Sequence, residues 1–384
     1  MGVYEVLLPK RVVFGDRVEE KIGAEAKGLG AKKAFIVTDE TIEKTGLLEK
    51  VETPLKEVVE VDIFDRVESE PTLKAAEAIA MAARAAKYDL VVGVGGGSVL
   101  DMAKVASAAV ANPGQVVSDF FGANKIANPS VPKMLIPTTA GTGAEATPYA
   151  LIIVEEKKKA IASSYNLADV VLISPSFTAS MPPEITASTG MDALSHAVEA
   201  LLSLGANPLT DSFALEAIRK ISDNLEEAFA HGNNLEARLK MSIAAMLAGM
   251  AFGNAGVIVG HAAAHNIGAR YNISHAKASA LALPYVMEYN TPAAEEKLAK
   301  VARELGEDIS GLSDEEAASK AVARVKKMLE ALKLPTRLAD LDVPEKDLPD
   351  LADAIMKEKG YLARNPRKVE HGDAVKMVER MWSG

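Results

Sequence analysis

The sequence predicts two domains: an α/β domain with a parallel sheet over residues 1–182, and an all-helical domain over residues 183–384. Three observations carry this. A chain of 384 residues exceeds one ordinary hydrophobic core. Up to Pro182-Pro183, short β-branched runs alternate with amphipathic stretches, the pattern of a parallel sheet with crossover helices. Beyond those prolines the β-branched runs stop, and long Ala- and Leu-rich segments take over.

The elements follow in order. Lys33–Thr38 reads as a strand, followed by a helix through Leu47-Leu48. Val58–Phe64 is the next strand, and Thr72–Ala86 a helix with Pro71 as its start signal. Asp89–Val94 reads as a buried strand running into Gly95-Gly-Gly-Ser98, with a helix over Val99–Val110 after it. Met134–Ile136 opens another strand, and Val170–Ile173 closes the sheet. The early apolar run Val3–Leu8 has the character of an edge strand that invites a second copy of the chain, so a homodimer is expected. In the second domain Glu184–Leu204, Leu209–Ala230, Leu235–Met250 and Ala293–Leu305 are expected helices, with looser charged connections at 306–316 and 343–349.

Composition narrows the function classes. Hydrophobic residues make up 48% and charged residues 25%, the balance of a globular protein. A net charge of −10 without any basic cluster argues against a nucleic-acid partner. Lys157-Lys-Lys159, the longest basic run, is expected to be a solvated turn. No apolar run is long enough to suggest a membrane span, and Met1-Gly-Val-Tyr-Glu5 lacks a signal peptide's apolar stretch, so the expected location is the cytoplasm. The chain has no cysteine, which excludes disulfides, thiolate metal ligands and a cysteine nucleophile.

Two loops in the first domain suit phosphate. Gly93-Val-Gly-Gly-Gly-Ser98-Val-Leu-Asp101 joins a strand to a helix. Its glycines let backbone N–H groups approach an anion, and the helix N-terminus adds partial positive charge. Ile136-Pro-Thr-Thr-Ala-Gly-Thr142-Gly-Ala-Glu145 again follows a strand and brings three hydroxyls. Neither loop is the GxGxxG fingerprint or a P-loop, and either could be a tight turn or a helix cap. Together they favour a nucleotide-binding, Rossmann-like first domain.

All six of the chain's histidines lie in the second domain, and four of them, His196, His261, His265 and His275, stand in apolar segments. Asp192 and His196 stand one helical turn apart, so both point from one face. His261, His265 and His275 follow in Gly260-His-Ala-Ala-Ala-His265-Asn-Ile-Gly-Ala-Arg-Tyr-Asn-Ile-Ser-His275. The last turn of a helix would present His261 and His265 together, and Gly268 would let the chain reverse and return His275 to the same place. The flanking residues are Ala, Gly, Val and Ile, among which unpartnered polar groups are costly to bury. One carboxylate with imidazoles suits iron(II), zinc, cobalt or nickel. Spacing alone does not separate His261 from His265.

With these residues assembled, the sequence resembles the iron-containing (group III) alcohol dehydrogenases nearly end to end. The matching motifs are Gly95-Gly-Gly-Ser98-x-x-Asp101, Pro137-Thr-Thr-Ala-Gly-Thr142-Gly-x-Glu145, Thr189-Gly-Met-Asp-Ala-Leu-x-His196-Ala-x-Glu199 and His261-x3-His265-x9-His275. The resemblance implies a dehydroquinate synthase-like architecture with a single metal in the cleft between the domains. It implies Asp192, His196, His261 and His275 as ligands, iron favoured and zinc possible, with His265 a non-ligand catalytic histidine near the nicotinamide. For the cofactor it implies Asp39, Gly95, Gly96, Gly97, Ser98, Asp101, Thr138, Thr139, Thr142 and Lys159. Asp39 stands at a strand end beside the adenosine ribose, which favours NAD over NADP. The alternative for Asp39 is a helix cap. Tyr149 and Phe252 are implied to line a pocket for a small alcohol, diol or aldehyde. The metal would polarise the substrate oxygen while hydride passes to or from the nicotinamide.

The chain departs from the family pattern at His265-Asn-Ile-Gly268, Ala276, Ser174-Pro175 and around Ala168, positions that bear on substrate range and cofactor geometry. Other readings are a dehydroquinate synthase-type or glycerol dehydrogenase-like enzyme, or a non-catalytic metal-binding protein. The apolar flanks Ala262-Ala-Ala264 and Met250-Ala-Phe252 disfavour a phosphorylated substrate.

Overall fold

A computed structural model describes residues 2–155 and 157–384. Two compact units emerge, Leu7–Ser180, and Met181–Gly384 together with the first residues through Val6. The division falls just before Pro182-Pro183, where the sequence changes character.

The first unit is built on strands β1 (Val12–Phe14), β2 (Lys33–Val37), β3 (Glu60–Phe64), β4 (Leu90–Gly95), β5 (Gly122–Ala123), β6 (Lys133–Pro137), β7 (Tyr149–Val154), β8 (Lys157–Ala162) and β9 (Val170–Ile173). Its helices are α1 (Ile22–Gly28), α2 (Glu40–Lys44), α3 (Glu49–Lys56), α4 (Leu73–Arg84), α5 (Gly97–Ala111) and α6 (Pro175–Thr178). Six strands form a parallel sheet in the order β1-β9-β6-β4-β2-β3. Every residue of β4, β6 and β9 is buried, as expected of strands covered on both faces. Ile36, Val92, Val94, Met134, Ile136 and Leu172 of the sheet pack with Ile22 of α1 and Val51 and Leu55 of α3 in one core.

The structure corrects the sequence reading at four places before Met181. The sheet ends on β1, so β9 is an interior strand and does not close it. The helix expected through Leu47-Leu48 is two short ones, α2 and α3, joined by a turn. Lys157-Lys-Lys159 is a strand, pairing antiparallel with β7 in a small sheet ordered β5-β8-β7; β5 pairs with β8 only at Ile161 and Ala162, so the lysine end of β8 keeps one side open. Gly2–Pro9 form no strand, and Val3 and Tyr4 are exposed. Among the described residues no strand supplies the partner backbone that Val3–Leu8 would need.

The second unit holds α7 (Pro183–Leu202), α8 (Pro208–Ala230), α9 (Leu235–Ala255), α10 (Val259–Tyr271), α11 (His275–Glu304), α12 (Asp314–Ala331), α13 (Leu348–Lys357), α14 (Lys359–Leu362) and α15 (His371–Ser383). α11 begins well before the expected Ala293 and kinks at Ala294 (φ −148°), just after Pro292, whose missing N–H breaks the ladder. The connection expected at 306–316 ends at Asp314, where Ser313 and Glu316 form a reciprocal cap. Among the described residues no single helix is long and apolar enough to cross a membrane; only α9 and α10 taken together, bent by 108°, have the length and composition.

Candidate active site

α7 carries Asp192 and His196 on its buried face, and the two side chains are 2% and 6% exposed. α10 carries His261, at 3%, and α11 starts on His275, at 21%. One potential ligand atom from each of the four lies within 4.8 Å of all the others. His196 Nδ1 is 3.8 Å from Asp192 Oδ2, and His275 Nε2 is 3.9 Å from Asp192 Oδ1, beyond hydrogen-bonding distance. The ring of His261 stands 4.6 Å from that of His196 and 5.4 Å from that of His275. A carboxylate and three imidazoles converging in a buried place form a donor set that fits one divalent ion.

The route to this arrangement differs from the expected one. His261 sits in the first turn of α10, not its last, and Gly268 lies inside the helix. The chain reverses at Asn272, in the left-handed conformation (φ 53°) that asparagine tolerates, and three residues later α11 begins with His275. His265, one turn beyond His261, lies outside the converging set. Its Nδ1 is 3.2 Å from the Tyr361 hydroxyl of α14, and its ring is 4.8 Å from that of His275. Phe252 of α9 stacks on His196, with ring centroids 4.2 Å apart and planes 17° from parallel.

Glu199 of α7 is a buried carboxylate of this region that sequence reasoning missed as a functional residue. Its Oε1 lies 2.7 Å from His261 Nδ1, and its Oε2 accepts from the backbone N–H of Ile258 (2.8 Å) and of His261 (3.3 Å). The signal was its spacing. It follows His196 by one turn and Asp192 by two in a segment otherwise apolar, so it faces the same way and needs donors.

In the α/β unit Gly95 ends β4, Gly96 precedes α5, and Gly97 and Ser98 open that helix, whose N-terminus carries no side-chain cap. The second loop lies against the first: a β-carbon on Gly97 would stand 2.8 Å from Thr142 Oγ1, so only glycine lets the two approach. Thr138 is buried with its N–H on the Gly95 carbonyl, and Thr139 and Thr142 are half-buried. Ser98 Oγ accepts from Glu70 N–H at 3.2 Å. Asp101 is turned inward. Its Oδ1 takes Lys104 Nζ at 3.1 Å, and its Oδ2 takes the N–H of Leu151 in β7 at 3.0 Å. Burial raises its carboxyl above the usual range against the pull of Lys104. Lys104 also donates to the carbonyl of Tyr149, the half-buried first residue of β7. Lys159 is exposed on β8, with Nζ 6.0 Å from the Phe121 ring centroid. Asp39 caps α2, its Oδ1 accepting from Thr41 N–H (2.8 Å) and Ile42 N–H (3.0 Å).

Comparison with known proteins decides the lineage. Residues 9–175 match the sequence model for iron-containing alcohol dehydrogenase, and residues 186–382 match that for the Fe-containing alcohol dehydrogenase family, C-terminal. The chain belongs to the iron-containing alcohol dehydrogenase family. It is 37% identical to long-chain-alcohol dehydrogenase 1 of Geobacillus thermodenitrificans, over 100% of this chain and 98% of that one. It is 39% identical to 1,3-propanediol dehydrogenase of Klebsiella pneumoniae, over 95% of each. Among solved structures, the alcohol dehydrogenase from Oenococcus oeni superposes with a TM-score of 0.95 at 37% identity, covering 99% of this chain and 100% of that one.

As an iron-containing alcohol dehydrogenase, the protein is an oxidoreductase with the expected Rossmann-like α/β and all-helical parts. The dehydroquinate synthase-type, glycerol dehydrogenase-like and non-catalytic readings give way to it.

Proposed function

We propose that this dehydrogenase interconverts a small primary alcohol or diol with its aldehyde, using NAD in preference to NADP, and that Asp192, His196, His261 and His275 hold one divalent ion, iron ahead of zinc. The observation that carries the reading is the convergence of those four donors within 4.8 Å, three of them buried. The relatives act, by their names, on long-chain alcohols and on 1,3-propanediol. When bound, the ion supplies Lewis acidity for polarising an alcohol or carbonyl oxygen.

The chain's own residues supply the rest. Gly95, Gly96, Gly97 and Ser98 present backbone N–H groups and an uncapped helix start to the cofactor's phosphates, and Thr138, Thr139 and Thr142 add hydroxyls beside them. Asp101 braces α5 against β7, so it supports the loop from beneath. Lys159 reaches the cofactor from the open face of β8. Asp39 places its carboxylate at the adenosine ribose. His265, steadied by Tyr361, holds or passes the substrate's hydroxyl proton. Phe252 gives the substrate an apolar wall beside His196. The exposed apolar residues Val3 and Tyr4 favour a homodimer built on that segment.

The test is a panel of alcohols, diols and aldehydes, followed in both directions by the absorbance of the reduced nicotinamide with NAD and NADP, on protein loaded with iron(II) or zinc. Light scattering on the same sample reads the assembly. Turnover of small alcohols at one metal per chain is expected. Metal-loaded protein that turns over none of them with either cofactor removes the reading. Wild-type metal content in a His261→Ala or His275→Ala variant removes the ligand assignment.

A further inference from the structure

We infer that Glu199 is a positioning residue of the metal centre: its carboxylate fixes the proton of His261 on Nδ1 and so turns Nε2 toward the ion. The inference rests on the reading of His261 as a ligand and adds what selects its ligating nitrogen. Glu199 is 1% exposed, accepts from the backbone amides of Ile258 and His261, and stands with Oε1 2.7 Å from His261 Nδ1. An ionised carboxylate has no proton to give. The 2.7 Å contact therefore requires the proton on Nδ1, and the neutral ring keeps its lone pair on Nε2.

The carboxylate is held in place as well as satisfied. It caps the start of α10, where Ile258 provides no side-chain cap, and the positive end of the helix favours its charge. Gly260 leaves the room it needs, since a β-carbon there would overlap Glu199 Oε1. One side chain thus fixes the entry of the helix that carries His261 and the orientation of the His261 ring. A carboxylate behind a metal-binding imidazole typically contributes about 10–100-fold in metal affinity.

The Glu199→Gln variant separates this from a merely structural role. Glutamine matches the shape and can keep an oxygen on the Ile258 amide, but its NH2 then faces Nδ1 and forces the ring proton onto Nε2. We expect metal-free E199Q to retain the far-UV circular dichroism of the wild type, while its Co²⁺ affinity, by chelator competition and visible absorption, falls about 10–100-fold. Gly260→Ala, which keeps Glu199 but displaces it, should weaken Co²⁺ binding in the same direction and serves if E199Q does not fold. In a His261→Ala background, E199Q should change Co²⁺ affinity by less than about twofold, since the partner is gone. Wild-type Co²⁺ affinity in folded E199Q, or an equal loss with and without His261, overturns the inference while leaving the metal reading intact. A wild-type protein that takes up no Co²⁺ at this site overturns both.

Discussion

The ring of Phe252 lies flat against that of His196, 4.2 Å from centroid to centroid. Such a contact stiffens the imidazole and leaves the half-buried phenyl edge to shape what approaches it. Aromatic pairs contribute about 0.5–1.5 kcal/mol beyond their area. Phe252→Leu should therefore keep one metal per chain but weaken it by about 2- to 10-fold, and raise KM for small alcohols. Competition titration and steady-state kinetics check this. Unchanged affinity and unchanged KM would place Phe252 outside the site.

His265→Ala should retain the metal and lose about 10²- to 10⁴-fold in kcat, the usual worth of general acid–base help. Tyr361→Phe, which removes the hydroxyl 3.2 Å from His265 Nδ1, should cost about 10-fold or less. Elemental analysis beside the kinetics decides the role. Metal lost with His265 makes it a ligand, and an unaffected rate makes it a packing residue.

Asp39 has two jobs that one substitution can separate. Its cap on α2 uses Oδ1. Its charge would meet a 2′-phosphate, and a like-charge pair near 4 Å costs about 4 kcal/mol at an effective dielectric of 20. Asp39→Asn keeps a capping oxygen and removes the charge. Wild type should favour NAD at least about tenfold in kcat/KM, and D39N should shift that ratio toward NADP with little change in Tm. A wild type that already prefers NADP sinks the charge argument.

Glu145 gives a pH signature. It is 2% exposed, and burial pushes its carboxyl up to about 7 from an ordinary 4.5. Because the folded value is the higher one, its stabilisation is full below about 4.5 and is lost as the pH rises through about 7. The loss is at most about 3 kcal/mol. Glu145→Gln should thus unfold at the wild-type temperature or below it at pH 5, and above it at pH 8. Parallel melting curves across that range would refute the shift.

Legibility followed burial. Val170–Ile173 could be read as a strand because all four residues are apolar and fully enclosed. Val12–Phe14 could not, since an edge strand of three residues leaves too short a pattern, and Gly122-Ala123 has none. The four converging donors were legible as a group from helical spacing and the scarcity of histidine. Which of His261 and His265 joined them was not, because both stand on one helix face and only the packing of α7, α10 and α11 separates them. Asp101 looked like a cofactor contact because sequence shows a polar residue after a glycine loop, while its two inward hydrogen bonds come from residues far along the chain or beneath it.

The uneven enclosure of the four donors bears on exchange kinetics. Asp192, His196 and His261 are sealed to 6% or less, whereas His275 keeps 21% of its side chain open and stands on the first residue of its helix. For an ion held by the proposed ligands, the side of the more exposed His275 is then the expected route of entry and escape. Removal by a chelator should saturate with chelator concentration at the opening rate of His275. Protein purified in one metal and stored in another should change occupant on that same clock.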